Sequence, residues 1–203
     1  RRRAPRIVAP FCAKCSEPFP GAITQTFSCA NCEHRMLHFD CAVAVYRSRG
    51  LVRRLLHQFK YGGQRHLRYP IASWLGESFS DPRLRGRHFD LIVPVPLHPA
   101  RERERGFNQA TLLAELIAVP AAVPSRPVLE RVRYTTTQTA YDRAERMENL
   151  HGAFRLRKNR DVRGLRVLLI DDVLTTGSTL SECARVLRRA GAVSVHAATA
   201  ARA

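Results

Sequence analysis

The run from Val167 to Leu180, Val-Leu-Leu-Ile-Asp-Asp-Val-Leu-Thr-Thr-Gly-Ser-Thr-Leu, constrains the fold more than any other stretch of the chain. The unbroken apolar tetrad Val167-Leu168-Leu169-Ile170 suits a strand covered on both faces, as strands are in the parallel sheets of α/β proteins. Asp171 and Asp172 then stand where that strand ends. Thr175, Thr176, Gly177, Ser178 and Thr179 follow, placing small side chains and free backbone N–H groups at a helix start, where an anion is favoured without any cation. The helix is expected from Thr179 and Glu182 at capping-box spacing, from Leu180, Cys183, Ala184 and Leu187 on one face, and from Gly191 as its stop. Arg185, Arg188 and Arg189 are left for the wet face.

Neither G-x-x-x-x-G-K-[ST] nor G-x-G-x-x-G occurs, so the loop needs a phosphate ligand other than those two motifs serve. Two carboxylates can accept hydrogen bonds from neighbouring sugar hydroxyls while the following loop wraps a phosphate on the same sugar, which indicates a ribose 5-phosphate. The plainer alternative is that Asp171 and Asp172 only cap a turn. The arrangement resembles the phosphoribosyl pyrophosphate (PRPP) loop of type I phosphoribosyltransferases.

A chain of 203 residues can bury one good core with a small appendage. No apolar run approaches the ~20 residues of a membrane span, and Arg1-Arg2-Arg3 lacks the apolar core of a signal peptide, so a cytoplasmic protein is expected. The net charge of +17 and pI near 11.0 suggest a polyanionic partner. However, Lys14, Lys60 and Lys158 are the only lysines, and so strong an arginine bias also arises from genome composition. Charge alone leaves both readings open.

Cysteines supply the second strong pattern. Cys12-x-x-Cys15 and Cys29-x-x-Cys32 are separated by thirteen residues, the paired-knuckle spacing of a zinc ribbon, and four thiolates make a closed structural site with no position left for water. Disulfides are the competing account, disfavoured in a cytosolic chain. His34, His38 and Cys41 are near but superfluous as ligands, and Cys41 and Cys183 read as small core residues.

The remaining pattern alternates strands and helices. Phe39 to Tyr46 reads as a strand. Leu51, Val52, Leu55, Leu56 and Phe59 share a helix face, with Arg53, Arg54 and Lys60 away from it and Gly62-Gly63 as terminator. A helix from Tyr69 to Phe79 carries Ile71, Trp74 and Leu75. Asp90 to Val93 is a buried strand that Pro94 and Pro96 must end. The stretch from His98 to Phe107 reads as a loop in which Arg101, Arg103 and Arg105 alternate with Glu102 and Glu104. On charge alone it is a self-paired solvated run, but at a strand's carboxyl end, where open α/β sheets bind ligands, its forked donors suit a polyphosphate. Asn108 is placed to cap the helix bearing Leu112, Leu113, Leu116 and Ile117. A Pro-rich link from Pro120 to Pro127 leads to a short strand at Val128 to Arg133. The polar stretch with Thr135, Gln138, Arg146 and Asn149 reads as a lid, order resumes at Gly152-Ala153-Phe154, and Val193 to Ala200 gives a last strand. The fold class is α/β, a parallel sheet, with a zinc ribbon over residues 1–39 and the sheet domain over 40–203.

Five ordered motifs are similar to those of the ComF family, phosphoribosyltransferase-like proteins linked to bacterial competence and DNA uptake. They are Phe59-Lys60-Tyr61-Gly62-Gly63; Val93 through Pro99; Arg105-Gly106-Phe107-Asn108-Gln109-Ala110; Arg133, Thr135, Gln138, Arg146 and Asn149 through Phe154; and Asp171 through Gly177. The chain departs from the family in one respect, lacking the further cysteine pair that members often carry, which leaves a single zinc. The resemblance implies that Asp171 and Asp172 hold the ribose hydroxyls as the catalytic pair and that Val173, Leu174, Thr175, Thr176, Gly177, Ser178 and Thr179 form the PRPP-binding loop. It also implies that Arg101, Arg103 and Arg105 face the pyrophosphate, and that Mg²⁺ accompanies PRPP. Two functions follow as expectations. One is transfer of phosphoribose to an unknown acceptor with release of pyrophosphate. The alternative is a non-catalytic PRPP sensor that binds single-stranded DNA during uptake, with competence-machinery proteins as partners. Base-stacking candidates are few, Phe11, Phe19 and Phe27 near the knuckles.

Overall fold

The computed structural model describes residues 4–22, 27–134 and 150–203. Four strands form one parallel sheet in the order β1-β6-β5-β2: β1 is Ala42–Arg47, β2 Leu91–Pro94, β5 Arg166–Leu174 and β6 Ser194–Arg202. The apolar tetrad lies in β5, at the sheet's centre. Its alternation decides the layers, because successive side chains leave opposite faces of a strand. Val167 and Leu169 join one core cluster, Leu168 and Ile170 the other. On the second face pack the helices α2 (Gly50–Tyr61), α3 (Arg68–Gly76) and α5 (Gln109–Ala121), through Leu56, Phe59, Ile71, Leu75 and Leu113. On the first face pack α6 (Ser178–Arg189), through Leu180, Cys183 and Leu187, and the cysteine-rich N-terminal segment with the short helix α1 (Ala30–Glu33).

That N-terminal segment shares its core with the sheet: Cys12, Cys15 and Cys29 belong to the same buried cluster as Leu169 and Val195. Arg83 stitches it further, donating to the carbonyls of Cys12 (3.3 Å) and Ala13 (3.1 Å) and to Ser16 Oγ (3.0 Å) while its guanidinium lies over the Phe11 ring. Phe19 and Phe27 pack against one another as a tilted pair with centroids 4.9 Å apart. All three aromatics proposed for base stacking thus make contacts inside the protein.

Two further strands, β3 (Leu129–Arg131) and β4 (Phe154–Leu156), pair antiparallel as a separate small sheet. Between β2 and α5 the structure corrects the expected loop. Residues Pro99–Arg105 form a helix, α4, because His98 caps it by accepting from the Ala100 N–H (3.2 Å), Pro99 occupies its first position, and Gly106 closes it at φ +79°. The Asn108 cap is as expected, accepting from the Ala110 N–H at 2.9 Å. Helix α5 continues through Pro120 to Ala121, although the proline cannot donate the backbone hydrogen bond of its turn.

The start of α6 differs from the expected capping box. Gly177 is the N-cap residue at φ +80°, a conformation glycine adopts without strain, and Thr179 and Glu182 do not pair. Glu182 instead binds Arg185 (2.6 Å) and accepts from the Gly152 N–H (2.8 Å), joining α6 to β4's approach. Arg185 is accordingly half-buried, and Arg188 pairs with Asp40, so neither is a freely solvated charge. Among the described residues no helix is long and apolar enough to cross a membrane.

Candidate functional site

At the carboxyl ends of β5 and β2, where open parallel sheets bind ligands, the structure assembles a diacid, a phosphate-type loop and a cationic pocket. Asp171 and Asp172 lie within β5, which runs two residues beyond them to Leu174. Asp172 is 2% exposed and its Oδ2 sits 2.6 Å from Lys60 Nζ, on the last turn of α2. Lys60 therefore turns inward, not to solvent as its place on the helix face suggested. Burial alone pulls its ammonium down, but the charges of Asp172 and Asp171 outweigh burial and hold its pKa above the ordinary lysine value. Asp171 is driven the other way from a normal carboxylate: burial, then the neighbouring Asp172 charge, raise its pKa, although Lys60 opposes the rise.

Beyond the diacid the chain turns through Thr175, which is exposed, to Gly177 and Ser178, which are buried, with Thr176 and Thr179 between these extremes. Leu174 is a core side chain and contributes only backbone here. Thr176 Oγ1 and Ser178 Oγ lie 2.9 Å apart.

The cationic pocket, about 230 Å³, is lined by Lys60, Tyr61, Gly63, Arg101, Glu104 and Arg105. Helical geometry explains which arginines reach it. Positions i and i+4 share a face, so Arg101 and Arg105 line the pocket while Arg103, two residues from each, does not. Arg105 stacks over the Tyr61 ring at 5.0 Å and Arg101 over Tyr134 at 5.6 Å. Arg131 of β3 is a further cation, within electrostatic range of Asp171 and Arg101, whose pKa burial lowers. Thr135, Gln138, Arg146 and Asn149, the expected lid, lie outside the described residues. A larger cavity of about 330 Å³, lined by Asp90, Pro124, Arg126 and Arg160 among others, is at the amino ends of β2 and β5, the wrong end of the sheet for this chemistry.

A separate centre is built by Cys12, Cys15, Cys29 and Cys32, whose sulfur atoms all lie within 4.8 Å of one another. A tetrahedral zinc with Zn–S bonds of ~2.3 Å sets its sulfurs about 3.8 Å apart. The cluster fits that ion closely, and the Cys15–Cys29 sulfur separation is 3.5 Å. All four thiols are free, the Cys29 N–H donates to Cys12 Sγ, and hydrogen bonds from Cys15 and Cys32 lower the Cys12 pKa.

A family model, the phosphoribosyl transferase domain, matches residues 105–203, which hold the diacid, the loop and part of the pocket. Competence protein F of Haemophilus influenzae is 32% identical over 189 residues, covering 90% of this chain and 80% of that protein. The chain belongs to the ComF family. Relatives in it include the DNA utilization protein YhgH of Salmonella typhimurium, 34% identical over 95% of this chain and 84% of that protein. Competence protein ComFC of Bacillus subtilis is 35% identical over 73% of this chain and 58% of that protein. Among solved structures, adenine phosphoribosyltransferase from Thermoanaerobacter pseudethanolicus aligns with a TM-score of 0.41 at 18% identity, over 66% of this chain and 68% of that one. The ComF chain has the parallel-sheet phosphoribosyltransferase fold, with the cysteine cluster added on the α6 face.

Two site residues escaped the sequence reading, Lys60 as the partner of Asp172 and Arg131. A lysine closing an amphipathic helix looks like any solvated C-terminal charge. The signal available was its place in Phe59-Lys60-Tyr61-Gly62-Gly63, where two glycines let the chain pass close to a ligand.

Proposed function

We propose that this ComF chain binds PRPP and transfers its phosphoribosyl group to an acceptor, releasing pyrophosphate. One observation carries the reading: a diacid whose Asp172 is buried, the Thr175–Thr179 loop and the Lys60–Arg101–Arg105 pocket all converge at the carboxyl ends of adjacent parallel strands. The diacid accepts hydrogen bonds from the two ribose hydroxyls, and the loop N–H groups receive the 5-phosphate. Lys60, Arg101 and Arg105 take the pyrophosphate, where forked and point-like cations offset the charge that grows on the leaving group. In the reaction the acceptor's lone pair forms a bond to the anomeric carbon as the bond from that carbon to the pyrophosphate oxygen breaks. The bonding electrons leave with pyrophosphate and the acceptor's proton passes to solvent. Mg²⁺, which the carboxylate and diphosphate oxygens suit, would add further charge neutralisation at the pyrophosphate. Asp171 and Asp172 favour the cationic character that develops on the sugar.

The names of the relatives, competence and DNA utilization, support a second reading: PRPP is sensed without turnover by a protein that handles single-stranded DNA. Turnover separates the two. Pyrophosphate release assayed across a broad panel of bases and other acceptors supports the transferase if any acceptor stimulates it, and the sensor if PRPP binds and none does.

A further inference from the structure

The ribbon touches the phosphate loop directly. Asn31, between the ligands Cys29 and Cys32, donates through Nδ2 to the Thr176 carbonyl at 3.2 Å. Arg35, three residues beyond Cys32, donates to the same carbonyl at 3.0 Å, to Asn31 Oδ1 at 2.6 Å and to Ser178 Oγ at 2.8 Å. A second bridge starts at Glu17, which pairs with the nearly buried Arg202, whose guanidinium donates to the carbonyls of Leu174 (3.2 Å) and Thr175. Three consecutive carbonyls of the loop, those of Leu174, Thr175 and Thr176, are therefore held by guanidinium or amide donors that are in, or paired with, the ribbon.

Peptide planarity gives this a consequence. In a trans peptide the C=O and the following N–H point in opposite directions, so fixing a carbonyl fixes the next amide. Carbonyls drawn toward Arg35 and Arg202 turn the N–H groups of Thr175, Thr176 and Gly177 to the other side, as a row of donors of the kind that forms an anion-binding nest. Gly177 holds φ +80°, a conformation that L side chains rarely adopt, and Phe39, at the end of the ribbon, packs against it in ordinary contact, 3.5 Å from where a Cβ would stand.

We propose that the zinc ribbon is a working part of the phosphoribosyl site, with Asn31 and Arg35 as positioning residues that aim the loop amides at the 5-phosphate, so that zinc occupancy and 5-phosphate affinity are coupled. The proposal rests on the phosphoribosyl reading and deepens it. Zinc fixes Cys29 and Cys32, these fix the short helix carrying Asn31, and Asn31 in turn orients Arg35.

Calorimetry on intact, zinc-loaded protein tests it, with ribose 5-phosphate and, separately, inorganic pyrophosphate with Mg²⁺ as probes. Arg35→Ala keeps its zinc by metal analysis, binds ribose 5-phosphate about tenfold or more weakly, as removal of charge-assisted hydrogen bonds implies, and binds pyrophosphate as the wild type does. Undiminished ribose 5-phosphate affinity in the zinc-loaded variant, or an equal loss for both probes, overturns the proposal. If the variant does not fold, the wild type decides: saturating ribose 5-phosphate must raise zinc affinity in a chelator competition, because coupling between two sites is reciprocal. An unchanged zinc affinity overturns the coupling. Wild-type protein that binds neither ribose 5-phosphate nor PRPP removes the phosphoribosyl reading itself, a result distinct from tight binding that ignores Arg35.

Discussion

Lys60 Nζ lies 2.6 Å from Asp172 Oδ2, tying the last turn of α2 to the central strand at the end of the sheet where the loop begins. With Asp172 2% exposed and Lys60 22% exposed, the pair is mostly withdrawn from water. Its members stabilise each other chiefly by sparing one another an unpaired charge.

Lys60→Met should therefore destabilise the protein by about 2 kcal/mol, less than the ~3–5 kcal/mol of a fully buried pair because Lys60 keeps some solvent. Adding Asp172→Asn to that variant should recover most of the loss. Urea unfolding of the single and double variants measures both. Equal stability of Lys60→Met and wild type would show that Asp172 needs no counter-charge.

Metal analysis should find one zinc per chain, abolished by substitution of Cys12, Cys15, Cys29 or Cys32. Structural zinc typically supplies about 10–16 kcal/mol of coupled folding free energy. Since Cys12, Cys15 and Cys29 share a buried cluster with Leu169 and Val195, chelation should loosen the sheet as well as the ribbon. Hydrogen exchange reports this as reduced protection in β5 and β6. Intact protein carrying two disulfides and no zinc would refute the assignment.

The stability of the sheet's amino end should depend on pH through Asp90. Its carboxylate accepts from the Arg166 side chain (2.9 Å) and backbone N–H (2.8 Å), which hold its pKa well below the usual range. A depressed folded-state pKa means stability that is present above the unfolded value of ~3.9 and lost as pH falls through the folded one. Asp90→Asn should thus lower the urea midpoint at pH 7 and converge with wild type in strong acid. A constant difference at both pH values would contradict the pairing.

How far the sequence revealed this arrangement depends on the range of each interaction. The apolar tetrad before Asp171 identified a central strand because burial on both faces leaves no room for alternation. The cysteine pairs identified a four-sulfur cluster because each C-x-x-C spacing sets two sulfurs on one tight turn, and the fold brings the two turns together. Helix α4 was missed although His98, Pro99 and Gly106 are a helix's own start and stop signals, since seven residues rich in charge show no apolar stripe. Arg35 and Thr176 are 141 residues apart, and no local pattern signals a hydrogen bond that only tertiary folding creates.

Basic residues on α2 give a prediction for DNA. Arg53, Arg54 and His57 surround a shallow surface depression. If they bind phosphates of single-stranded DNA, log affinity falls linearly with log salt with a slope of roughly −0.7 per phosphate neutralised. Arg53→Ala/Arg54→Ala should flatten that slope by about the same amount for each phosphate no longer neutralised. No binding at physiological salt would assign the charge to composition alone.

In the proposed function Asp171 and Asp172 hold the ribose of PRPP. Calorimetric titration of PRPP with Mg²⁺ into wild type and Asp171→Asn/Asp172→Asn, each shown folded by circular dichroism, tests it most directly. Removing the carboxylate acceptors of both ribose hydroxyls should weaken binding about a hundredfold or more in the variant, whereas undiminished binding would contradict the assignment.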